Sequence, residues 1–173
     1  MTGALDIRET EDGDTRAIES LYRDAFPHED LLPLVRDLLV SDALSLAGFV
    51  ENALAGHVAF TPCTVAGAAG EAALLSPVAV APQWQRQGVG SAIVHAGLKR
   101  LAHAGTARVF VLGDPAYYGR FGFETDDSVS PPYPLPEEWR GAWQSLSLSD
   151  DAPPLRGTLS IPPAWRRQAL WAP

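Results

Sequence analysis

The stretch Leu74–Leu101, LLSPVAVAPQWQRQGVGSAIVHAGLKRL, limits what this chain can fold into more than any other. Leu74, Leu75, Val78 and Val80 form a short apolar run that reads as a buried strand. Pro82 has no N–H with which to extend it. A polar loop, Gln83 to Gln87, leads into Gly88-Val89-Gly90. Ile93, Val94, Gly97, Leu98 and Leu101 then recur with the period of a helix. The order is therefore strand, glycine turn, helix.

That order has a chemical use. The first turn of a helix leaves backbone N–H groups without intrahelical partners. Its aligned peptide dipoles place about half a positive charge there. An anion, above all a phosphate, suits such a place. Gly88 and Gly90 let the backbone approach a ligand closely and adopt positive φ. A P-loop needs Gly-Lys-Ser/Thr, and Gly90 is followed directly by Ser91. A dinucleotide turn needs a third glycine where Ile93 stands. It also starts directly after the strand, whereas seven residues separate Val80 from Gly88. Both nucleotide readings fit poorly.

The pattern Q-x-x-G-x-G from Gln85 to Gly90, preceded by V-x-V-x-P from Val78 to Pro82, resembles the acetyl-CoA signature of the GNAT N-acetyltransferase superfamily. A second block, Tyr118-Gly119-Arg120-Phe121-Gly122-Phe123, is similar to that superfamily's later Y-x-x-x-G-F segment. The resemblance covers most of the chain up to about Glu124, and the tail more loosely. It implies an α/β fold with a mixed, mostly antiparallel sheet, one splayed parallel strand pair, and helices on both faces. It also implies acetyl-CoA as acyl donor and an amine as acceptor. The backbone of Val78, Ala79 and Val80 would meet the pantetheine arm. Gln85, Arg86, Gln87, Gly88, Val89, Gly90 and Ser91 would hold the pyrophosphate.

Composition sets the outer bounds. At 173 residues, with 46% hydrophobic and 20% charged residues, one globular domain spanning residues 1–173 is expected. No apolar run approaches the ~20 residues of a membrane helix, and the acidic N-terminal stretch has no apolar h-region. The lone cysteine, Cys63, excludes an internal disulfide and agrees with a reducing, cytoplasmic setting. It reads as a small buried strand residue. A net charge of −8 argues against nucleic acid and weakly favours a cationic acceptor. No metal is expected, and the oligomer expected is a monomer or homodimer.

Along the chain, Ala4–Glu9 reads as a strand, and Asp14 as the N-cap of a helix ended by Pro27. A second helix covers Glu29–Val40, with His28 and Glu29 in the joint. By the resemblance, this joint helps to shape the acceptor site. Strands follow at Ser45–Glu51 and Ala53–Val65, with a turn at Asn52 and another at Gly67–Gly70. Gly105 is a C-cap for the long helix. Ala107–Leu112 reads as a strand parallel to the earlier one, the pair parting at Pro77. Asp114-Pro115 starts a short helix. Pro131–Pro136 is a stiff loop. Trp143–Ser149 and Leu155–Ile161 read as antiparallel partners.

Acetyl transfer needs the thioester carbonyl polarised, the leaving thiolate protonated and the amine neutral. A backbone N–H near Val78–Val80 is the carbonyl's donor. Tyr118 is the candidate acid: with an ordinary pKa of about 10 it is protonated at neutral pH. Tyr117 reads as packing. The amine's base carries no distinctive spacing, and Glu71, Glu51, His57, His28 and Glu29 all stand open for it. Trp139, Trp143, Trp165 and Trp171 suit either an apolar acceptor pocket or an ordinary core. With no cysteine in either motif, direct transfer to a small-molecule amine is the expected reaction. The alternative is a non-catalytic acyl-CoA-binding sensor or regulatory module.

Overall fold

A computed structural model of the chain describes residues 3–66, 71–150 and 155–172. The expected turn at Gly67–Gly70 lies outside the described residues. The contacts divide the chain into two compact units, one made of the chain up to Thr61 with Ser76–Lys99, the other of Pro62–Leu75 with everything from Arg100 onward.

The first unit opens with β1 (Leu5–Glu9), α1 (Thr15–Ala25), α2 (Leu32–Leu39) and β2 (Leu44–Val50). β3 (Ala53–Val65) and β4 (Ala72–Val80) each run through both units. The strand order here is β1-β2-β3-β4. β1 pairs antiparallel with β2 from Leu5↔Val50 to Glu9↔Leu46, and β2 with β3 from Leu44↔Phe60 to Val50↔Ala53. The β2–β3 hairpin turns on Glu51 (φ 51°) and Asn52 (φ 67°), both left-handed as a two-residue primed turn demands. Asp14 does not cap α1. Its carboxylate is already taken by the Glu11 N–H (2.7 Å) and the Arg8 guanidinium (2.8 and 3.0 Å). α2 starts at Leu32, later than the periodicity suggests, with Pro33 in its first turn, where no N–H is needed.

The long helix α3 (Val89–His103) lies against this sheet through glycines. A Cβ on Gly97 would overlap the Phe60 ring, and one on Gly56 would lie 3.0 Å from Val89 Cγ1. Residues 56 and 60 share one face of β3, and His57 faces the other, where it meets Tyr22 of α1. α1 and α3 therefore cover opposite faces. Ile18, Leu21 and Tyr22 of α1 and Val35 of α2 pack on Ala79 and Ala81. Burying an apolar side chain of this size contributes roughly 1.5–3 kcal/mol.

In the second unit the order is β4-β5-β8-β6, with β5 at Arg108–Leu112, β6 at Glu124–Thr125 and β8 at Trp143–Ser147. β4 and β5 are parallel, in register from Ala72↔Arg108 to Leu74↔Phe110. Among the described residues that register ends there, although β4 goes on to Val80 and β5 to Leu112. β5 pairs antiparallel with β8, and β8 with β6.

The expected partnership of β8 with the later strand is wrong. β9 (Gly157–Ser160) pairs antiparallel with the end of β3 and parallel with β7 (Val129–Ser130). Both edges of β8 are already occupied, by β5 and β6. Phe110 stacks on Trp143 at 5.5 Å, and Trp171 meets Trp143 and Trp165 edge-on at 5.9 and 6.0 Å. α3 ends in a paired C-cap: Thr106 N–H donates to Leu101 O (3.0 Å) and Gly105 N–H to Ala102 O (3.2 Å), with Gly105 at φ 93°. Among the described residues no helix is long and apolar enough to cross a membrane.

Candidate active site

In the first unit the expected coenzyme-binding residues form one continuous turn. β4 ends at Val80, and the Ala81 N–H is fixed by the Ala55 carbonyl at 2.8 Å. A single 3-10 turn over Pro82–Trp84 follows. Arg86 then takes φ 61° and Gly88 φ 87°. A left-handed conformation is costly for a side chain such as arginine and persists only where the surroundings impose it. Turns that contain positive-φ residues are places where backbone N–H groups can face an anion.

Two glutamines brace the turn. Gln85 Nε2 donates to Val80 O at 3.1 Å, and Gln87 Nε2 to Gln83 O at 2.9 Å. Their amides are thus committed to the loop's own backbone. The first helical bond of α3 runs from Ala92 N–H to Gly88 O at 3.0 Å, so the amides of Val89 and Gly90 precede it. No acidic residue stands in that first turn, while Arg100 and His103 stand in the last, as the helix dipole favours at both ends. Arg86 is exposed, and Val89 and Gly90 are buried. Val89 packs with Val50 and Ala55 beneath Val80 and Trp84. Along β4, Val78 and Val80 are half-buried and Ala79 is buried.

In the second unit Tyr118 ends α4 (Pro115–Tyr118), whose N-cap is Asp114, accepting from Ala116 N–H at 2.9 Å. The Tyr118 ring stands edge-on to Tyr117 (4.9 Å) and Phe123 (5.9 Å). Gly113 lies so close that a Cβ there would overlap the ring. Burial, and secondarily Tyr117, push the Tyr118 hydroxyl above its ordinary value. It does not have the ordinary pKa expected from sequence, and it is still more firmly protonated at neutral pH. Sequence reasoning missed what holds this ring. Gln144, 1% exposed on β8, donates to Gly113 O at 3.0 Å, and Gly113 N–H to Ala142 O at 3.0 Å. A glutamine between a tryptophan and a serine in a short strand gave no signal of this, because Trp143, Gln144 and Ser145 are all buried.

The candidate bases scatter. Glu51 is the left-handed turn residue between β2 and β3, and Glu71 is exposed in the second unit. His57 is 1% exposed, and burial lowers its pKa to about 4. His28 and Glu29 line a cavity of about 420 Å³ at the α1–α2 joint with Tyr22, Phe26, Asp30 and Leu31. Trp143, Trp165 and Trp171 are core residues, 3%, 5% and 2% exposed. The indole N–H groups of Trp143 and Trp171 are bonded to Val129 O and Trp165 O. Cys63 is buried and its thiol is pushed up to about 12, which leaves almost no nucleophilic thiolate.

A glycine turn at a helix start and a mixed sheet with one parallel strand pair are the arrangement of an acyltransferase fold. The model of the acetyltransferase (GNAT) domain matches residues 6–125, and the chain belongs to that family. It is 38% identical to the uncharacterized N-acetyltransferase YjhQ of Escherichia coli over 161 residues, covering 89% of this chain and 84% of the relative. It is 36% identical to YhbS of the same organism over 146 residues, covering 80% and 84%. The crystal structure of E. coli YhbS in complex with CoA superposes with a TM-score of 0.87 at 30% identity, over 96% of this chain and 94% of that one. A GNAT acetyltransferase from Brucella melitensis in complex with acetyl-CoA gives 0.76 at 28% identity, over 94% and 98%.

Proposed function

We propose that this GNAT enzyme transfers an acetyl group from acetyl-CoA directly to a small-molecule amine. The observation that carries the reading is the pair of left-handed residues, Arg86 and Gly88, in the loop that leads into α3, where the amides of Val89 and Gly90 precede the first helical bond. The pyrophosphate of the coenzyme is the natural occupant. Its hydrogen bonds to those amides are charge-assisted, worth roughly 1.5–3 kcal/mol each. Arg86 adds an exposed cation, and the Val78–Val80 backbone supplies the donor for the thioester carbonyl.

The amine nitrogen attacks the carbonyl carbon, the C–S bond breaks, and the amine gives up a proton. Tyr118 donates a hydrogen bond to the departing sulfur. Even an ordinary tyrosine, about 1.5 units above a thiol, makes full proton transfer uphill by about 2 kcal/mol. The raised value at Tyr118 widens that gap. Tyr118 therefore stabilises the thiolate chiefly as a donor, and solvent completes its protonation.

The acceptor is assigned to the cavity at the α1–α2 joint. Glu29 and Asp30 in its lining outnumber the one fixed cation there, Arg23, and so favour an ammonium, and Phe26 and Tyr22 add aromatic rings. The test is release of free CoA thiol from acetyl-CoA with benzylamine and aliphatic diamines as acceptors. Turnover that depends on Glu29 and Asp30 supports the assignment. Failure of folded protein to retain CoA in equilibrium dialysis removes the reading.

A further inference from the structure

Tyr22, a wall residue of the α1–α2 cavity, is also one end of a row of hydrogen bonds leading away from it. Its Oη lies 2.8 Å from His57 Nδ1. His57 Nε2 lies 2.7 Å from Ser45 Oγ, which lies 2.9 Å from Thr10 Oγ1. The row crosses from α1 through β3 and β2 to the residue after β1, all within the first unit. Tyr22, His57 and Ser45 are 2%, 1% and 8% exposed, and Thr10 is half-buried at the far end.

His57 is neutral. Burial is the sole cause of its lowered pKa, and the side chains facing it, Tyr22 from α1 and Ser45 from β2, are both uncharged. A neutral imidazole has one N–H and one bare nitrogen, so it must donate to one neighbour and accept from the other. Hydroxyls do either. The row can therefore point wholly one way or wholly the other. Imidazole alone among side chains takes a proton at one nitrogen while releasing another from the second. An apolar residue at position 57 would strip the buried Tyr22 and Ser45 hydroxyls of a partner, so His57 satisfies both; what sets it apart from another polar residue is that it can pass a proton between them.

We propose that Tyr22, His57, Ser45 and Thr10 form a proton relay that carries the ammonium proton of the acceptor from the α1–α2 cavity to solvent at Thr10. This rests on the acceptor assignment above. The ammonium gives its proton to Tyr22 Oη, directly or through one bridging water. The phenol's own proton passes to His57 Nδ1, and the Nε2 proton to Ser45 Oγ. The serine proton passes to Thr10 Oγ1, and the threonine proton to water. Every relay side chain ends with as many hydrogens as it began with, the imidazole having moved its proton from Nε2 to Nδ1; the amine loses one proton and water gains it. The row then points the other way and resets by hydroxyl rotation and return of the imidazole tautomer. His57 and Ser45 act through Tyr22 and need not touch the substrate.

The decisive variant is His57→Gln, which keeps a donor and an acceptor but cannot hand a proton from one to the other. With benzylamine at neutral pH its kcat should fall on the order of 10²-fold. KM for acetyl-CoA should not move, and the deficit should close as pH rises through the pKa of the amine. Ser45→Ala, cutting the row away from the cavity, should give the same pH-dependent deficit. A loss of equal size at every pH would mark a structural role and overturn the relay. A second readout is independent of turnover. Benzylamine titrated into protein with ¹⁵N-labelled histidine should shift the His57 ring resonances, and Tyr22→Phe should abolish that response. His57 ring resonances that stay unmoved at benzylamine concentrations where calorimetry shows binding would disconnect the row from the cavity. Protein that retains CoA but acetylates no amine defeats the acetyl-transfer reading, while the ¹⁵N titration still decides the relay.

Discussion

Mild acid should weaken this fold through His57. Its pKa is about 4 in the folded chain, against 6.5 for an unperturbed histidine. As pH falls below the unfolded value, the unfolded chain binds a proton that the folded chain refuses. Stability is thus fully present above pH 6.5 and is lost progressively down to about 4. At 1.36 kcal/mol per unit the whole loss is about 3 kcal/mol, and at about pH 5 it is about 2 kcal/mol. Against the 5–15 kcal/mol typical of a domain, this is a large fraction. Urea midpoints of wild type and His57→Gln, measured near pH 7.5 and pH 5, isolate the effect, because every other titrating group is common to both. Asp14, held below the usual carboxylate range by the Arg8 hydrogen bond, titrates lower still and cancels as well. The wild type should lose about 2 kcal/mol more than the variant. Equal losses would mean that His57 is not the buried neutral group described above.

Other substitutions probe the site itself. Tyr118→Phe should lower kcat on the order of 10²-fold with CoA affinity by calorimetry nearly unchanged; equal rates would remove the hydroxyl from the reaction. Gly88→Ala forces a side chain into φ 87° at a cost of about 1–2 kcal/mol and should weaken CoA binding. Arg86→Gly keeps the left-handed turn and should weaken it less, and the reverse order would shift the holding from backbone to side chain. Gly97→Ala drives a methyl into the Phe60 ring and should cost about 1–3 kcal/mol in thermal unfolding.

The features that were legible beforehand are local ones. β3 runs over the residues its apolar pattern marks, Ala53–Val65, and the turn at Asn52 stands where it was expected. The glycine turn and the start of α3 were visible because motif spacing and helical period coincide there. Strand partners were visible where a turn or a crossover helix links neighbours, as for β2 with β3 and β4 with β5, but not in the tail. Alternation along Trp143–Ser147 marks a strand, but it does not report that Trp143, Gln144 and Ser145 are all buried, nor which edges are occupied, so β9 was assigned to the wrong neighbour. β7 has two residues, too few to carry any period. Asp14 has the composition of a cap, but Arg8, six residues away, takes its carboxylate. His57 sat among five candidate bases because nothing in its neighbours along the chain reports that Tyr22 and Ser45 enclose it. Burial of a polar side chain belongs to the tertiary fold.

The distribution of indoles across the fold gives a ready optical separation. Of the five tryptophans, Trp84 alone belongs to the first unit, half-buried within the braced loop. Trp139, Trp143, Trp165 and Trp171 all lie in the second. Emission from a Trp84→Phe protein therefore follows the second unit alone, and the difference from wild type follows the coenzyme loop. One denaturant titration read in both ways shows whether the halves melt as a single cooperative body.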